Sequence, residues 1–185
     1  MKRVFDLAVS LPLLMFLMPV VILVSVLIKI DSKGPVFFKQ ERVGRFGRVF
    51  NLYKFRSMVI DAANNGPYFT QENDLRITKA GRILRATSID ELPQILNVIK
   101  GEMSLVGPRP DLLVQRANYT KEEWNKRCLV RPGITGLAQA RFRSQATAGQ
   151  RTKLDLEYVD KASLEFDLKI IFLTIEQLLL KKNGN

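Results

Sequence analysis

The chain has 185 residues, with 29 lysines and arginines against 18 aspartates and glutamates, no histidine and one cysteine, Cys128. This excludes an imidazole acid-base catalyst, an intramolecular disulfide and a Cys/His zinc site, so any chemistry falls to carboxylates, hydroxyls, lysines or arginines. The net charge of +11 asks for a polyanionic partner, whether nucleic acid, an anionic membrane surface or phosphate-bearing substrates.

The N-terminus carries no charge from Leu7 to Ile28, which is long enough for the roughly 20 apolar residues a membrane-crossing helix needs. A cleaved signal peptide fits poorly, because the apolar run continues into Ile28-Lys29-Ile30-Asp31 with no cleavage site. Pro19 near the middle favours a kink. Lys2 and Arg3 precede the segment, and Lys29, Lys33, Lys39, Arg42, Arg45 and Arg48 follow it, so the positive-inside rule places both ends in the cytoplasm. A re-entrant hairpin satisfies both ends; a tilted single span with a tolerated proline stays open on these grounds.

Beyond Asp31 the pattern is mixed α/β. Val36-Phe37-Phe38 predicts a short strand, Arg42 to Arg48 with its two glycines a turn, and Val49 to Met58 a second strand. Lys54 and Arg56, two apart, share a face of that strand and are placed to meet one phosphate, although a solvated basic edge explains such a pair as well. Residues 60–76 contain Asn64-Asn65-Gly66-Pro67 and predict a loop. Thr78 to Arg85 predicts a short helix.

The segment Ser88-Ile89-Asp90-Glu91-Leu92-Pro93-Gln94 precedes an apolar run. Ser-x-x-Glu is a capping-box pattern, yet with Ser88 as cap Pro93 falls beyond the first turn. A start at Asp90 keeps the proline within the donor-free turn and sets two acids at a helix N-terminus, an environment that keeps a carboxylate ionised and accepts a phosphate. Val106-Gly107-Pro108-Arg109-Pro110 and Arg131-Pro132-Gly133-Ile134-Thr135-Gly136 predict stiff loops, each presenting an arginine. Leu164 to Lys182 predicts an amphipathic helix for core packing or for the membrane interface. Without a histidine beside it, Cys128 is expected to be a packed residue rather than a nucleophile.

Taken in order, Lys2-Arg3-Val4-Phe5-Asp6, Phe38-Lys39-Gln40 with Arg42-Val43-Gly44, Lys54-Phe55-Arg56-Ser57-Met58, Ser88 to Gln94, Val106 to Pro110, Arg131 to Gly136 and Asp167-Leu168-Lys169 resemble the bacterial sugar transferase family. The likeness is to the monotopic phosphoglycosyl transferases, particularly their small PglC-like members. It implies a mainly helical α/β catalytic domain over residues 32–185, with interfacial amphipathic helices. Residues 1–31 would form a kinked re-entrant membrane helix, with Met18 where relatives usually place a small residue before the proline. The enzyme would sit in the bacterial inner membrane among its phospholipids, catalytic domain on the cytoplasmic face.

The reaction implied by the resemblance moves a sugar-1-phosphate from a UDP-sugar to a polyprenyl phosphate, with Asp90 as covalent nucleophile, Glu91 as its companion acid, Mg²⁺ bridging Asp90 and the diphosphate, and UMP released. Lys54, Arg56, Arg85, Arg109 and Arg143 are the implied phosphate-binding or site-organising residues. Where relatives often read Gln-Val-Asn-Gly-Arg-Asn, this chain has Gln139-Ala140-Arg141-Phe142-Arg143-Ser144, which leaves the sugar open. The sequence also leaves open a homodimer. A membrane-anchored nucleic-acid-binding protein and a non-catalytic scaffold are the alternatives, and no nucleic-acid-binding module is recognisable.

Overall fold

The computed structural model of the chain describes residues 1–62, 66, 71, 74–142 and 145–182. In chain order these form α1 (Lys2–Asp31), β1 (Phe37–Val43), β2 (Val49–Phe55), α2 (Lys79–Ala86), α3 (Gln94–Lys100), β3 (Ser104–Val106), α4 (Lys121–Arg127), β4 (Gly133–Thr135), α5 (Leu137–Phe142), α6 (Ala148–Lys161) and α7 (Leu164–Lys182). The expected mixed, mainly helical architecture is the one observed.

Helix α1 is continuous and contains Pro12 as well as Pro19. Each proline removes a hydrogen bond and crowds the preceding turn, which favours bending there. Burial divides the helix sharply. Asp6 and Ser10 are buried near its start, Val24 and Ile28 near its end, and between them Met15 and Phe16 are 77% and 80% exposed. By length and composition α1 is able to cross a membrane.

Both ends of α1 are fastened to the rest of the fold. At the start, Lys2 Nζ donates to Val106 O (3.0 Å) and Tyr158 Oη (3.1 Å) and pairs with Asp167. Arg3 donates to the carbonyls of Val98 and Ile99 in the last turn of α3, while Asp6 accepts from Ser104 Oγ (3.0 Å) and Leu105 N (3.1 Å). At the other end, Val24 and Ile28 pack with Phe55 of β2 and Leu84 of α2.

Strands β1 and β2 form an antiparallel hairpin, Phe37 opposite Phe55 and Val43 opposite Val49. β1 therefore runs through Arg42 and Val43, where a turn was expected, and the turn shrinks to Gly44–Arg48 around left-handed Phe46. Most of β1 is exposed, so it shows no apolar alternation; pairing with β2, which buries Phe50, Leu52 and Phe55, is what fixes it as a strand. β2 ends at Phe55, three residues short of the expected end, and Met58 makes only an isolated bridge to Ile77.

The two stiff loops lock together. β3 and β4 pair in parallel, Gly107 N donates to Thr135 O (2.9 Å), and Gly133 N donates to Pro108 O (2.9 Å). A Cβ on Gly133 would lie 2.1 Å from Gly107 N, so this crossing requires glycine. The main core lies beneath it, where Val106, Leu137, Leu154, Tyr158 and Ile170 meet. α7 buries Asp167 and Ile170 against that core and exposes Leu168, Phe172, Ile175 and Leu179. Cys128 is packed with Val43 and Trp124, and burial pushes its thiol pKa up, as suits a packed residue.

Candidate active site

Four segments bring the expected residues together. Lys54 stands at the end of β2, Arg85 in the last turn of α2, Asp90 and Glu91 on a 3-10 turn (Ile89–Glu91), and Arg109 in the loop after β3. The motif is not one helix. α3 begins at Gln94 with Pro93 at its N-cap, so the expected start at Asp90 is replaced by a separate turn. Ser88 makes no side-chain cap and adopts a left-handed backbone (φ 59°). That conformation is uncommon for a residue with a Cβ, and here it reverses the chain out of α2 so that the acids follow at once.

The adjacent acids meet different surroundings. Glu91 Oε1 accepts from Lys54 Nζ at 2.8 Å and Arg109 Nη2 at 2.6 Å, and Oε2 lies 3.4 Å from Arg109 Nη1. Burial alone would raise its pKa, but Arg109 and Lys54 overcome that and hold it well below the usual carboxylate range. Asp90 is 7% exposed, and among the described residues its carboxylate accepts no hydrogen bond. Burial raises the Asp90 pKa and Glu91 adds to this, against the opposing charges of Lys54, Arg85 and Arg109. The expectation that a helix terminus keeps Asp90 ionised is thus corrected: the residue precedes the helix, and desolvation sets the direction. Burial likewise lowers the Lys54 pKa, with Glu91 partly restoring it.

The other implied site residues are distributed less simply. Arg56 lies past the end of β2, so it does not share a site with Lys54. Its guanidinium donates to Lys33 O (2.7 Å), Ser32 O (2.7 Å) and Ser32 Oγ (2.8 Å), which fastens the C-terminus of α1. There it meets the negative end of the helix dipole. A Cβ at Gly34 would lie 2.1 Å from that guanidinium. Arg143 lies outside the described residues, as do Asn64, Asn65 and Pro67. Arg131 Nε turns to Gly101 O (2.8 Å), away from the acids.

A second charged network was not foreseen. Arg127, its side chain 4% exposed, pairs with Asp155 (2.9 Å) and Asp111 (3.1 Å). Arg151 pairs with Asp111 (2.7 Å), and Tyr119 Oη donates to Asp111 (2.7 Å). Arg127 also donates to Arg109 O, so the network holds the loop that carries Arg109. A signal for it exists in the sequence: Arg151, Asp155 and Tyr158 fall on one face of α6 at helical spacing, which puts a charge pair on an apolar face.

Among the described residues no three acids, histidines or cysteines gather as a metal site. With both Glu91 oxygens facing cations, Asp90 is the acid of the pair with oxygens to give. A buried uncommitted carboxylate, ringed by lysine and arginine beside a neutralised acid, is an arrangement able to meet a phosphate-bearing group.

Comparison with known proteins gives the chain its family. The family described as Bacterial sugar transferase matches residues 1–181, and the chain belongs to that family. It is 45% identical over 99% of its length to the undecaprenyl-phosphate glucose phosphotransferase of Komagataeibacter xylinus, but spans 36% of that protein. It is 44% identical to the exopolysaccharide production protein PSS of Rhizobium leguminosarum bv. phaseoli, covering all of this chain and 98% of the relative. To the UDP-glucose:undecaprenyl-phosphate glucose-1-phosphate transferase of Escherichia coli (strain K12) it is 40% identical over 95% of its length, spanning 39% of that protein.

Proposed function

We propose that the protein is a phosphoglycosyl transferase that moves a sugar-1-phosphate from a UDP-sugar to polyprenyl phosphate, specifically undecaprenyl phosphate, in two displacements at phosphorus. In the first, an Asp90 oxygen bonds to the β-phosphorus and the bond to the bridging oxygen breaks, so UMP leaves with that electron pair. In the second, an oxygen of the lipid phosphate bonds to the same phosphorus and the Asp90 carboxylate departs. The product is a lipid-linked diphosphosugar, the opening membrane step of a glycan pathway.

The observation that carries this reading is the asymmetry of the acid pair. Glu91 is saturated by Lys54 and Arg109, whereas Asp90 keeps its carboxylate uncommitted in a desolvated, cationic setting. Such a carboxylate is poised as a nucleophile once a phosphoryl group arrives. Glu91 fixes Lys54 and Arg109 in place, and Arg85 adds positive charge that favours the ionised Asp90. Mg²⁺ suits this set, because it commonly binds through one or two carboxylates together with substrate phosphates; Asp90 would hold it, and the ion would supply neutralisation of phosphoryl charge.

The proposed disposition in the membrane draws its support from α1. A body on one side of a bilayer with a hydrocarbon core of about 30 Å cannot grip both ends of a straight spanning helix. Here Lys2, Arg3 and Asp6 at one end and Ile28 with the Arg56-bound Ser32 at the other are tied to the same body. This supports a re-entrant α1, bent at Pro12 and Pro19, with both termini and the catalytic domain on the cytoplasmic face. The exposed Leu168, Phe172 and Ile175 of α7 suit the membrane interface.

The test is a panel of UDP-sugars incubated with purified protein, Mg²⁺ and polyprenyl phosphate, followed by UMP release and peptide mapping of donor-trapped enzyme. A phospho-sugar adduct on Asp90 is expected. Turnover with no adduct there refutes the mechanism, and no UMP from any donor refutes the activity.

A further inference from the structure

Among the described residues Arg42 makes no ion pair, although Asp111 and Glu91 attract it from a distance. It lies on β1, and its guanidinium donates to Pro110 O (2.9 Å) and Gln40 Oε1 (2.6 Å), both neutral acceptors. Its Nε is buried without a partner. The carboxylates around it are already shared: Glu91 between Lys54 and Arg109, Asp111 between Arg127 and Arg151. Burial, then repulsion from Arg109, brings the Arg42 pKa down to about 10. Arg151, whose charge also acts on Arg42, has its own buried and unpartnered Nε. Arg109 and Arg151 keep 41% and 28% of their side chains exposed, so a ligand can reach the group. A desolvated cation whose nearest acids, Asp111 and Glu91, are committed to other cations is only partly compensated, and an arriving anion lowers that cost.

The geometry points to a phosphate-monoester subsite formed by Arg42 with Arg109 and Arg151, used in both half-reactions. This rests on the proposed double displacement. Entering and leaving oxygens at phosphorus stand roughly in line, and Asp90 occupies one end of that line both times. The departing nucleoside monophosphate and the arriving lipid phosphate therefore take the same opposite end in turn. Both are phosphate monoesters, so one arginine-lined pocket serves both, with guanidinium forks suited to their oxygens.

The rival role for Arg42 is to hold the Pro110 carbonyl and thereby the Arg109 loop. Arg42→Gln keeps a donor for that carbonyl and removes the charge, whereas Arg42→Lys keeps the charge. With the full chain in detergent, UMP, a short-chain polyprenyl phosphate and uridine are each titrated against donor-dependent labelling of Asp90, alongside melting curves. Arg42→Gln is expected to weaken UMP and the lipid phosphate alike by about ten- to hundredfold, the scale of a lost charge-assisted contact. Uridine competition should hold steady and melting should hold or rise, and Arg42→Lys should recover most of the loss.

Unchanged UMP and lipid affinities in Arg42→Gln overturn the subsite. A loss confined to one ligand overturns its shared use. Equal losses in Arg42→Gln and Arg42→Lys, accompanied by lower melting, return Arg42 to the positioning role. An absent label on wild-type Asp90 would instead strike the proposed function, so the two failures are told apart.

Discussion

Two charged clusters meet across the Pro108–Asp111 segment, and they follow opposite rules. In the cluster of Arg127, Asp111, Asp155 and Arg151 every carboxylate faces a guanidinium, and Arg127, Asp111 and Asp155 are almost wholly buried. In the neighbouring cluster Glu91 holds Lys54 and Arg109, while among the described residues Asp90 and Arg42 have no ion-pair partner. Arg109 belongs to both, its carbonyl gripped by Arg127 and its side chain by Glu91. The closed cluster fixes a loop; the open one keeps charge in reserve for a ligand. Buried charges that are all paired maintain structure, and those left unpaired mark where chemistry is expected.

The sharpest way to break this comparison is at Asp90. Asp90→Asn should reduce UMP release by about 10⁴-fold or more, as loss of a covalent nucleophile does, without lowering the melting temperature. Persistent turnover would remove Asp90 from the open cluster's function. Arg127→Met is the mirror experiment. It strands Asp155 and leaves Asp111 to Arg151 and Tyr119, so unfolding titrations should show a loss of about 3–5 kcal/mol; an unchanged midpoint would show that the closed cluster does not support the fold. Glu91→Gln comes next, with a fall of about 10²-fold in kcat from a loosened Lys54 and Arg109, read from the same UMP assay. If kcat holds, the ion pairs around Glu91 are incidental to the site.

The sequence reveals the open cluster far better than the closed one. Asp90, Glu91, Lys54, Arg85 and Arg109 stand in short motifs whose chemistry reads locally, and the structure brings them together. Arg56 was misplaced because strand alternation was carried past Phe55, where β2 stops. The expected helix start at Asp90 failed because the left-handed Ser88 and the separate turn that follows it are tertiary choices that propensity does not announce. The closed cluster joins Asp111, Arg127 and Asp155 across separate elements, so only the charge pair on the apolar face of α6 hinted at it. α1 was legible as an apolar segment, but its attachment depends at the start on Tyr158 and Asp167, more than 150 residues away, and on carbonyls of α3, and at the end on Phe55, Leu84 and Arg56.

The smallest predicted effect separates the two acids by pH. The folded-state pKa of Asp90 is raised, so its ionised form costs stability at neutral pH, and that cost fades as pH falls through the raised value toward the ordinary aspartate value of about 3.9. Asp90→Asn should therefore melt above wild type at pH 7, by roughly 2–4 °C for each kcal/mol relieved, and the gap should close on acidification. Glu91 has the opposite sign. Its folded pKa is depressed, so its stabilisation is complete above the ordinary glutamate value of about 4.3 and is lost only as pH falls below that toward the folded value. Glu91→Gln should melt below wild type at pH 7 and keep that deficit down to the ordinary glutamate value, over a range in which the Asp90→Asn advantage shrinks. Melting curves of the three proteins between pH 7 and 4 test the order. If both differences vanish together, the neighbouring carboxylates share one environment, and the division between a committed acid and a reserved one fails.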